Sequence, residues 1–180
     1  AVHENELESL IYSGKKWFGE RLTGDTVTRT FSFAFPDLKK ENSAYLKFEI
    51  ASRALIDTYF KVYINDKTVI DSTKLKKVHS SSNIYAENVK TTKTFFVDND
   101  NLDVKVEFLS EDFSAIAWID FIELNVERNL IFRGGQMNFR NPRVAAEGNI
   151  TKFEINEQSP AFNIWEITDS RNPVNIDTNR

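Results

Sequence analysis

The sequence predicts an all-β protein whose main part is an antiparallel, jelly-roll-like β-sandwich. Apolar and polar residues alternate in several stretches, which is the pattern of strands with one buried and one solvated face. Polar turns separate these stretches by roughly 8–20 residues, a spacing that favours an antiparallel sandwich. A pattern of helical period occurs only near residues 4–11, where we expect a short helix.

The strands of the sandwich follow from the alternation in chain order. Runs from Val89 to Val97 and from Thr68 to Ile70 have strand character, and Asp71 to Tyr85 is predicted to be a long loop. The clearest strands are Phe31 to Phe35, Leu46 to Ile50, Phe60 to Ile64 and Leu102 to Phe108. We expect one core to contain their apolar positions together with one tryptophan: Phe31, Phe33, Phe48, Phe60, Val62, Ile64, Val104, Val106 and Trp118.

The run from Ala115 to Val126 is apolar on both faces, which is typical of a central strand. Asp120 interrupts it, and a buried carboxylate is costly without a partner. We expect that partner to be an arginine or water. A weaker alternative is a structural calcium ion that Asp120 would hold together with Glu4 or Glu6.

A boundary near Arg128 is predicted because the strand pattern and the charge balance both change there. We expect residues 1–127 to form the sandwich and residues 128–180 to form a smaller β segment. Short strands are expected at Leu130 to Phe132, Gln136 to Phe139, Ile150 to Ile155 and Phe162 to Ile167. The last of these should form a hairpin with a strand around Val174 and Ile176. Little sequence remains to cover that hairpin, so we expect the chain to be a piece of a longer protein.

Composition excludes several classes of function. The net charge is −4, so no overall positive field suggests nucleic-acid binding. No apolar run reaches the roughly 20 residues that a membrane-spanning helix needs. Cysteine is absent, which rules out disulfides, thiolate metal sites and a cysteine nucleophile within this sequence. We expect no cofactor.

Two polar stretches resemble sites but are better explained as loops. His79 precedes three serines, yet a catalytic triad is defined by geometry and a third orienting group rather than by adjacency. The stretch Asp98 to Asn101 begins like a calcium loop but lacks the glycine and glutamate that an EF-hand requires. We expect a solvated loop at the first stretch and a turn between strands at the second.

Six residues are candidates for binding rather than catalysis. Trp17 lies between two glycines in a predicted loop and could present its ring to a sugar, and Trp165 lies in the last strand. Arginine pairs well with carboxylates and phosphates, and four arginines occur before the next acidic residue: Arg128, Arg133, Arg140 and Arg143. Core packing for the tryptophans and unrelated surface positions for the arginines are the alternatives.

Four segments resemble one family in the same order. They are Tyr12 to Glu20, Ala117 to Asn125, Gly135 to Arg140, and Ile164 to Asp169 with Asn172 to Val174. Together they resemble the N-terminal region of PorU-like sortases of the type IX secretion system, which belong to the gingipain-like cysteine peptidases. The resemblance extends over nearly the whole sequence but only over a small early part of such a protein.

The resemblance implies a non-catalytic leading module of a cell-surface sortase. In that family a downstream peptidase domain supplies the catalytic cysteine and histidine, removes the C-terminal sorting domain of secreted cargo and joins the cargo to anionic lipopolysaccharide. The partners implied are that domain, an outer-membrane anchor protein, the cargo and anionic lipopolysaccharide. The location implied is the outer-membrane-associated cell surface after signal-peptide removal, and no catalytic residue of the family can be placed on this sequence.

A second function remains open at this stage. Trp118 to Glu123 is also similar to the last strand of jelly-roll carbohydrate-binding modules, some of which hold a structural calcium ion. Such a module would capture glycan at the cell surface through exposed aromatic side chains.

Overall fold

The computed structural model describes residues 1–12, 14–24, 27–141, 144, 148–157 and 162–176. Strands account for 52% of the residues described, and none of those residues is helical. The helix expected near residues 4–11 is therefore wrong. Its first residue, Glu4, instead ends a strand and lies opposite Phe121 of the neighbouring strand. The chain divides into two compact units, Ala1–Arg128 and Asn129–Arg180.

The strands described in the first unit form two antiparallel sheets. One sheet has the order β1-β9-β4-β7, with β2 also paired to β9, and the other has the order β3-β8-β5-β6. Their bounds are β1 Val2–Glu4, β2 Arg21–Leu22, β3 Thr28–Ala34, β4 Ser43–Arg53, β5 Thr58–Ile64, β6 Lys67–Leu75, β7 Glu87–Phe96, β8 Asn101–Leu109 and β9 Ile116–Asn125.

This connectivity is that of a jelly roll. From β2 to β9, successive strands or hairpins alternate between the sheets, so that one sheet contains β2, β9, β4 and β7 and the other β3, β8, β5 and β6. Eight strands arranged in this way form the two Greek keys of a double-sheet jelly roll. The predicted all-β, jelly-roll-like sandwich is confirmed.

The core lies between the two sheets and contains most of the residues predicted for it. Phe48 of β4 and Phe60 of β5 are fully buried, and their ring centroids lie 5.4 Å apart. Phe31 and Phe33 are half-buried and pack against this core from β3. The other predicted members that lie in the core are Val62, Ile64, Val104 and Val106.

Trp118 is buried but not in that core, so this part of the prediction is wrong. Opposite β4, the register passes from Phe121 to Ile119, which leaves Asp120 as the extra residue of a β-bulge. The bulge reverses the alternation, so Ala117 and Ile119 face the main core before it and Ile122 faces that core after it. Trp118 consequently lies on the opposite face of the sheet.

The strand β6 is longer than predicted. It continues through Thr73, opposite Phe60, to Leu75, opposite Thr58, and Leu75 is fully buried in the main core. The burial of this leucine extends the strand into the polar stretch that the sequence suggested was a loop. The loop begins at Lys76 and ends before β7.

The second unit contains two short strand pairs among its described residues. Strands β10 (Leu130–Phe132) and β11 (Ile155–Glu157) are parallel, and β12 (Ile164–Glu166) and β13 (Val174–Ile176) form the predicted antiparallel hairpin.

Two strand predictions in the second unit need correction. Residues 136–139 are not a strand, because Gly134 and Gly135 turn the chain with φ values of 93° and 76° and Phe139 packs its ring on Phe153 instead. The strand expected over Ile150 to Ile155 begins only at Ile155, where pairing with Leu130 starts.

Candidate functional site

An N-terminal loop of residues 5–19, described except for residue 13, covers part of the outer face of the β9–β4 sheet. Phe18 closes the loop because its backbone N–H donates to Glu8 O and its carbonyl accepts from Leu7 N, both at 2.9 Å. Gly19 N donates to Ile119 O at 2.7 Å, which ties the loop to β9. A Cβ at Gly19 would lie 3.2 Å from that same carbonyl, a tight contact that favours glycine at this position.

Beneath this loop lies a small second core. Leu10 and Phe18 of the loop pack with Ala51 and Trp118 of the sheet. The indole Nε1 of Trp118 donates to Glu8 Oε2 at 2.9 Å, so the one polar atom of the ring is satisfied. Trp118 therefore anchors the loop and is not available as a sugar platform.

A charged cluster at the bulge also holds the loop on the sheet through Lys16. Lys16 Nζ lies 2.9 Å from Asp120 Oδ2 and is also hydrogen-bonded to the carboxylate of Glu49. Glu49 further accepts from Asn88 Nδ2 at 2.7 Å and pairs with Lys90 at 3.4 Å. The expected arginine or water partner of Asp120 is therefore wrong, because a lysine takes that place.

The pKa values of the two carboxyl groups, Glu49 and Asp120, are shifted in opposite directions. Burial favours the neutral form of Glu49, but hydrogen bonds from Lys16 and Asn88 outweigh that effect and hold the pKa of Glu49 at about 2. Burial raises the pKa of Asp120, and the neighbouring charge of Glu49 adds to this rise while Lys16 opposes it. Burial acts to lower the pKa of Lys16, yet its bonds to both carboxylates raise it. Lys16, Lys90, Glu49 and Asp120 thus form a cluster of paired charges that holds the loop on the sheet, and we call it the charged lock.

The lock occupies the position where a calcium ion was considered. Calcium takes six to eight oxygen ligands. The ammonium of Lys16 already sits on both carboxylates, Glu49 and Asp120. Among the residues that the structure describes, no three acidic or histidine side chains are grouped as metal ligands, so neither Glu4 nor Glu6 completes a site with Asp120.

The outer side of the loop is apolar and exposed. Trp17, a predicted binding residue, is 41% exposed, and Tyr12 has a positive φ of 51° and is almost fully exposed. Leu7 and Ile11 are also exposed. Trp17 is thus accessible for binding, whereas its neighbour Phe18 is buried.

The four arginines do not all lie in one unit. Arg128 ends the first unit, is half-buried and forms an isolated antiparallel bridge with Leu38. Arg133 and Arg140 belong to the second unit and are exposed. Arg143 lies outside the described residues. Two of the four predicted arginines are therefore exposed.

The C-terminal hairpin exposes its apolar side chains. Ile164 lies opposite Ile176, and Trp165 lies opposite Asn175. Trp165 is 53% exposed, and Ile167, Val174 and Ile176 are exposed to a similar degree. The turn is held by its own polar groups, since Glu166 Oε1 accepts from Thr168 N at 2.8 Å and Asp169 Oδ1 from Arg171 N at 3.0 Å. The hairpin is therefore ordered locally but uncovered within its unit.

Two polar stretches lie in loops or turns, as the sequence predicts, and a third polar residue, His3, makes contacts that the sequence does not indicate. His79 and the serines that follow it lie exposed in the loop between β6 and β7. Residues 98–101 include the turn into β8, in which Asn101 N donates to Asn99 Oδ1. His3 of β1 is held in place, because its Nε2 lies 3.0 Å from Glu20 Oε1 and its ring packs on Phe31.

Comparison with solved structures gives a strong fold likeness. The chain is similar to part of the dimeric latent PorU of Porphyromonas gingivalis, with a TM-score of 0.68 and 19% sequence identity. The match covers 78% of this chain and 13% of PorU, so the chain spans a small fraction of that protein. The two share a fold. No protein-family model matches the sequence, and no curated protein matches it.

Two further likenesses are weaker. The carbohydrate-binding module CBM36, solved with calcium and xylotriose, has a TM-score of 0.40 at 16% identity, covering 69% of this chain and 88% of the module. The insecticidal delta-endotoxin Cry8Ea1 of Bacillus thuringiensis has a TM-score of 0.38 at 14% identity, covering 57% of this chain and 18% of the toxin. Both are too distant to bear on function. No helix among the described residues is long and apolar enough to cross a membrane.

Proposed function

We propose that this chain is the non-catalytic leading module of a PorU-like, cell-surface sortase of the type IX secretion system. The observation that carries the proposal is the fold likeness to PorU, in which the matching region is 13% of the protein. Because the matching region is a small part of PorU, we expect the catalytic residues to lie in the rest of the protein. The absence of cysteine from this sequence agrees, because the parent activity is proposed to use a cysteine nucleophile.

The proposed role of the second unit is to dock on the peptidase domain of the same protein. Its hairpin offers Trp165, Ile167 and Val174 to solvent, and exposed apolar patches with polar surroundings are typical of interaction sites. Contacts between domains of one chain are usually of such mixed character. Exposed Arg133 and Arg140 would supply the polar rim. An outer-membrane anchor protein, secreted cargo and anionic lipopolysaccharide are further proposed partners of the whole protein.

The gene provides the first test of this proposal. The codons that follow Arg180 should encode a peptidase domain. That domain should contain a cysteine as the nucleophile and a histidine as the base. A different domain at that place, or a stop codon, would refute the sortase assignment. As a second test, the purified chain should not cleave Arg- and Lys-rich peptides or cargo that carries its sorting domain, and cleavage that persists through repurification would contradict a non-catalytic role.

The docking role is tested by adding the separately produced downstream domain to the purified chain in a calorimetric titration. Binding should weaken at least tenfold for Trp165→Ala, a size expected for an aromatic residue at the centre of an interface. Phe96→Ala is the matched control, because Phe96 is an exposed aromatic residue of the first unit. Equal binding by both variants would refute the role assigned to the hairpin.

A carbohydrate-binding module is the competing proposal, and the same protein can test it. Exposed Trp17 would then form the sugar platform. Retention of the chain on polysaccharide resins, lost in Trp17→Ala and kept in Trp165→Ala, would favour glycan binding over docking. We expect no retention.

A further inference from the structure

Two small cavities border the loop between β6 and β7. The larger, of about 290 Å³, is lined by Lys76, Lys77, His79 and Ser82 and by the apolar Val78 and Ile84. The smaller, of about 140 Å³, shares Val78 and includes Arg53, Ser80 and Ser114. Cationic and hydroxyl groups therefore surround a short apolar surface.

The lysines of the larger cavity form no close ion pair with a described residue, although Lys77 interacts electrostatically with Asp57. Neither Lys76 nor Lys77 forms an ion pair with any residue that the structure describes, although most lysines of β-strands in this protein do. The nearby carboxylate of Asp57 is satisfied by Lys74 Nζ at 2.7 Å and by the backbone N–H of Lys77 at 3.0 Å. Glu87 is the one acidic residue in the lining. Two ammonium groups thus face one carboxylate.

Hydrogen bonds hold the loop in the shape that forms the cavities. Val78 N donates to Ala54 O at 2.9 Å and joins the loop to the end of β4. Ser82 N donates to His79 O at 2.9 Å, and the hydroxyl of Ser82 accepts from Ile84 N at 3.0 Å. A loop that is already ordered loses less conformational freedom when it binds a ligand.

Arg53 adds a fixed cation on the side of the smaller cavity. Its Nη1 donates to Tyr85 O at 3.2 Å, and its guanidinium carbon lies 4.3 Å from the centre of the Tyr85 ring. These two contacts orient the guanidinium while leaving other N–H groups free to donate.

We propose that the larger cavity binds a small organic anion, with its carboxylate or phosphate group between Lys76 and Lys77. Lysine ammonium groups bind such oxyanions through charge-assisted hydrogen bonds, and Ser82 and His79 can add further hydrogen bonds. Val78 and Ile84 would contact the carbon skeleton of the ligand. The cavity is at the lower end of the range for ligand sites, roughly 300–1,000 Å³, so the ligand must be small.

This inference does not depend on the proposed sortase module, since either can fail alone. The test is a nuclear magnetic resonance titration of the isotope-labelled 180-residue chain with sodium phosphate and, separately, with sodium butyrate, at constant ionic strength set with sodium chloride. Saturable shifts should concentrate in the amides of residues 76–87. A response to phosphate alone identifies a phosphate site, and a response to butyrate alone identifies a carboxylate site with an apolar tail.

The double variant Lys76→Gln, Lys77→Gln should weaken the apparent affinity at least fivefold. The control Arg29→Gln, Lys93→Gln removes the same charge from two exposed positions that line neither cavity, and it should bind as the wild type does. Thermal unfolding checks that both variants fold, which is expected because all four side chains are exposed. Equal weakening in both variants, shifts that never saturate, or no response to either anion would overturn the proposal.

Discussion

The sandwich of residues 1–128 and the hairpin of residues 162–176 use the same kind of strand sequence with opposite results. In the sandwich, apolar side chains such as Phe48 and Ile122 are fully buried between the two sheets. In the hairpin, Trp165 and Val174 remain more than half exposed. A two-stranded hairpin is marginal by itself and needs a surface to pack on. The difference shows that the sandwich buries its own apolar side chains, whereas the hairpin leaves its apolar side chains exposed, as the proposed docking role requires.

The largest expected effect is on the core of the sandwich. Phe48→Ala removes a fully buried ring and should lower the free energy of unfolding by about 3–5 kcal/mol. Phe96→Ala, on the exposed side of neighbouring β7, should change it by less than about 0.5 kcal/mol. Chemical denaturation of both variants measures the contrast. Similar losses for the two would mean that the inward and outward faces are misassigned.

The charged lock is the next largest contribution. Glu49→Gln leaves Lys16 and Lys90 without their shared carboxylate and should cost about 1.5–3 kcal/mol near neutral pH, the range for hydrogen bonds to charged groups. Asp98→Asn is the control, because its pair with Lys67 is well exposed and exposed pairs contribute little to stability. If both substitutions cost the same, the lock adds nothing beyond a surface ion pair.

The lock should also show in the pH dependence of stability. The pKa of Glu49 is about 2 in the folded chain and about 4.5 when unfolded, so the unfolded state binds more protons between these values. The stabilisation by Glu49 is therefore complete above pH 4.5 and is lost as the pH falls toward 2. The difference in unfolding free energy between the wild type and Glu49→Gln should shrink over that window. A difference that stays constant would contradict the pairing. The raised pKa of Asp120 acts in the opposite direction and offsets part of the wild-type slope.

A smaller effect is expected where the N-terminal loop touches β9. In Gly19→Ala the new Cβ would lie 3.1 Å from Asn5 O and 3.2 Å from Ile119 O, so backbone must move, at a cost of about 1–2 kcal/mol. Gly24→Ala meets only ordinary contacts of 3.6 Å or more and serves as the control. Thermal unfolding distinguishes them, and an unaffected Gly19→Ala would show that the loop is not closely packed on the sheet.

The smallest effect on the isolated chain is expected in the hairpin. Trp165 is 53% exposed, so Trp165→Ala should change the unfolding free energy by less than about 0.5 kcal/mol, as for ordinary surface positions. The same variant should lower the stability of the full-length protein if the side chain is covered there. A loss above about 2 kcal/mol in the isolated chain would place Trp165 in a core and remove the contrast between the two regions.

The sequence alone predicted the sandwich well because strand alternation is a local signal. Phe48, Phe60 and Val106 follow it directly, and each is buried as expected. The alternation also marked Asp120 as a residue that needs a partner. It could not reveal that Asp120 is a bulge, because a bulge is defined by pairing with a strand some 70 residues away. Trp118 was therefore assigned to the wrong face.

The partner of Asp120 was equally hidden from sequence reasoning. Lys16 lies in a loop whose position over the sheet depends on Gly19 and Phe18, and no local pattern encodes that placement. The second unit was harder still, since its strands are three residues long and one pair is parallel. A run of three residues is too short to show the apolar–polar alternation of a strand. The hairpin was predicted because the residues between its two strands are typical turn formers.

Hydrogen exchange at the C-terminal hairpin tests the central claim most directly. The amides of Asn163 to Ile167 should exchange rapidly in the 180-residue chain and become protected in the full-length protein, while the amides of β4 and β9 stay protected in both. Equal, strong protection of the hairpin in the two forms would show that it is covered without the rest of the protein, and that result would contradict a docking role.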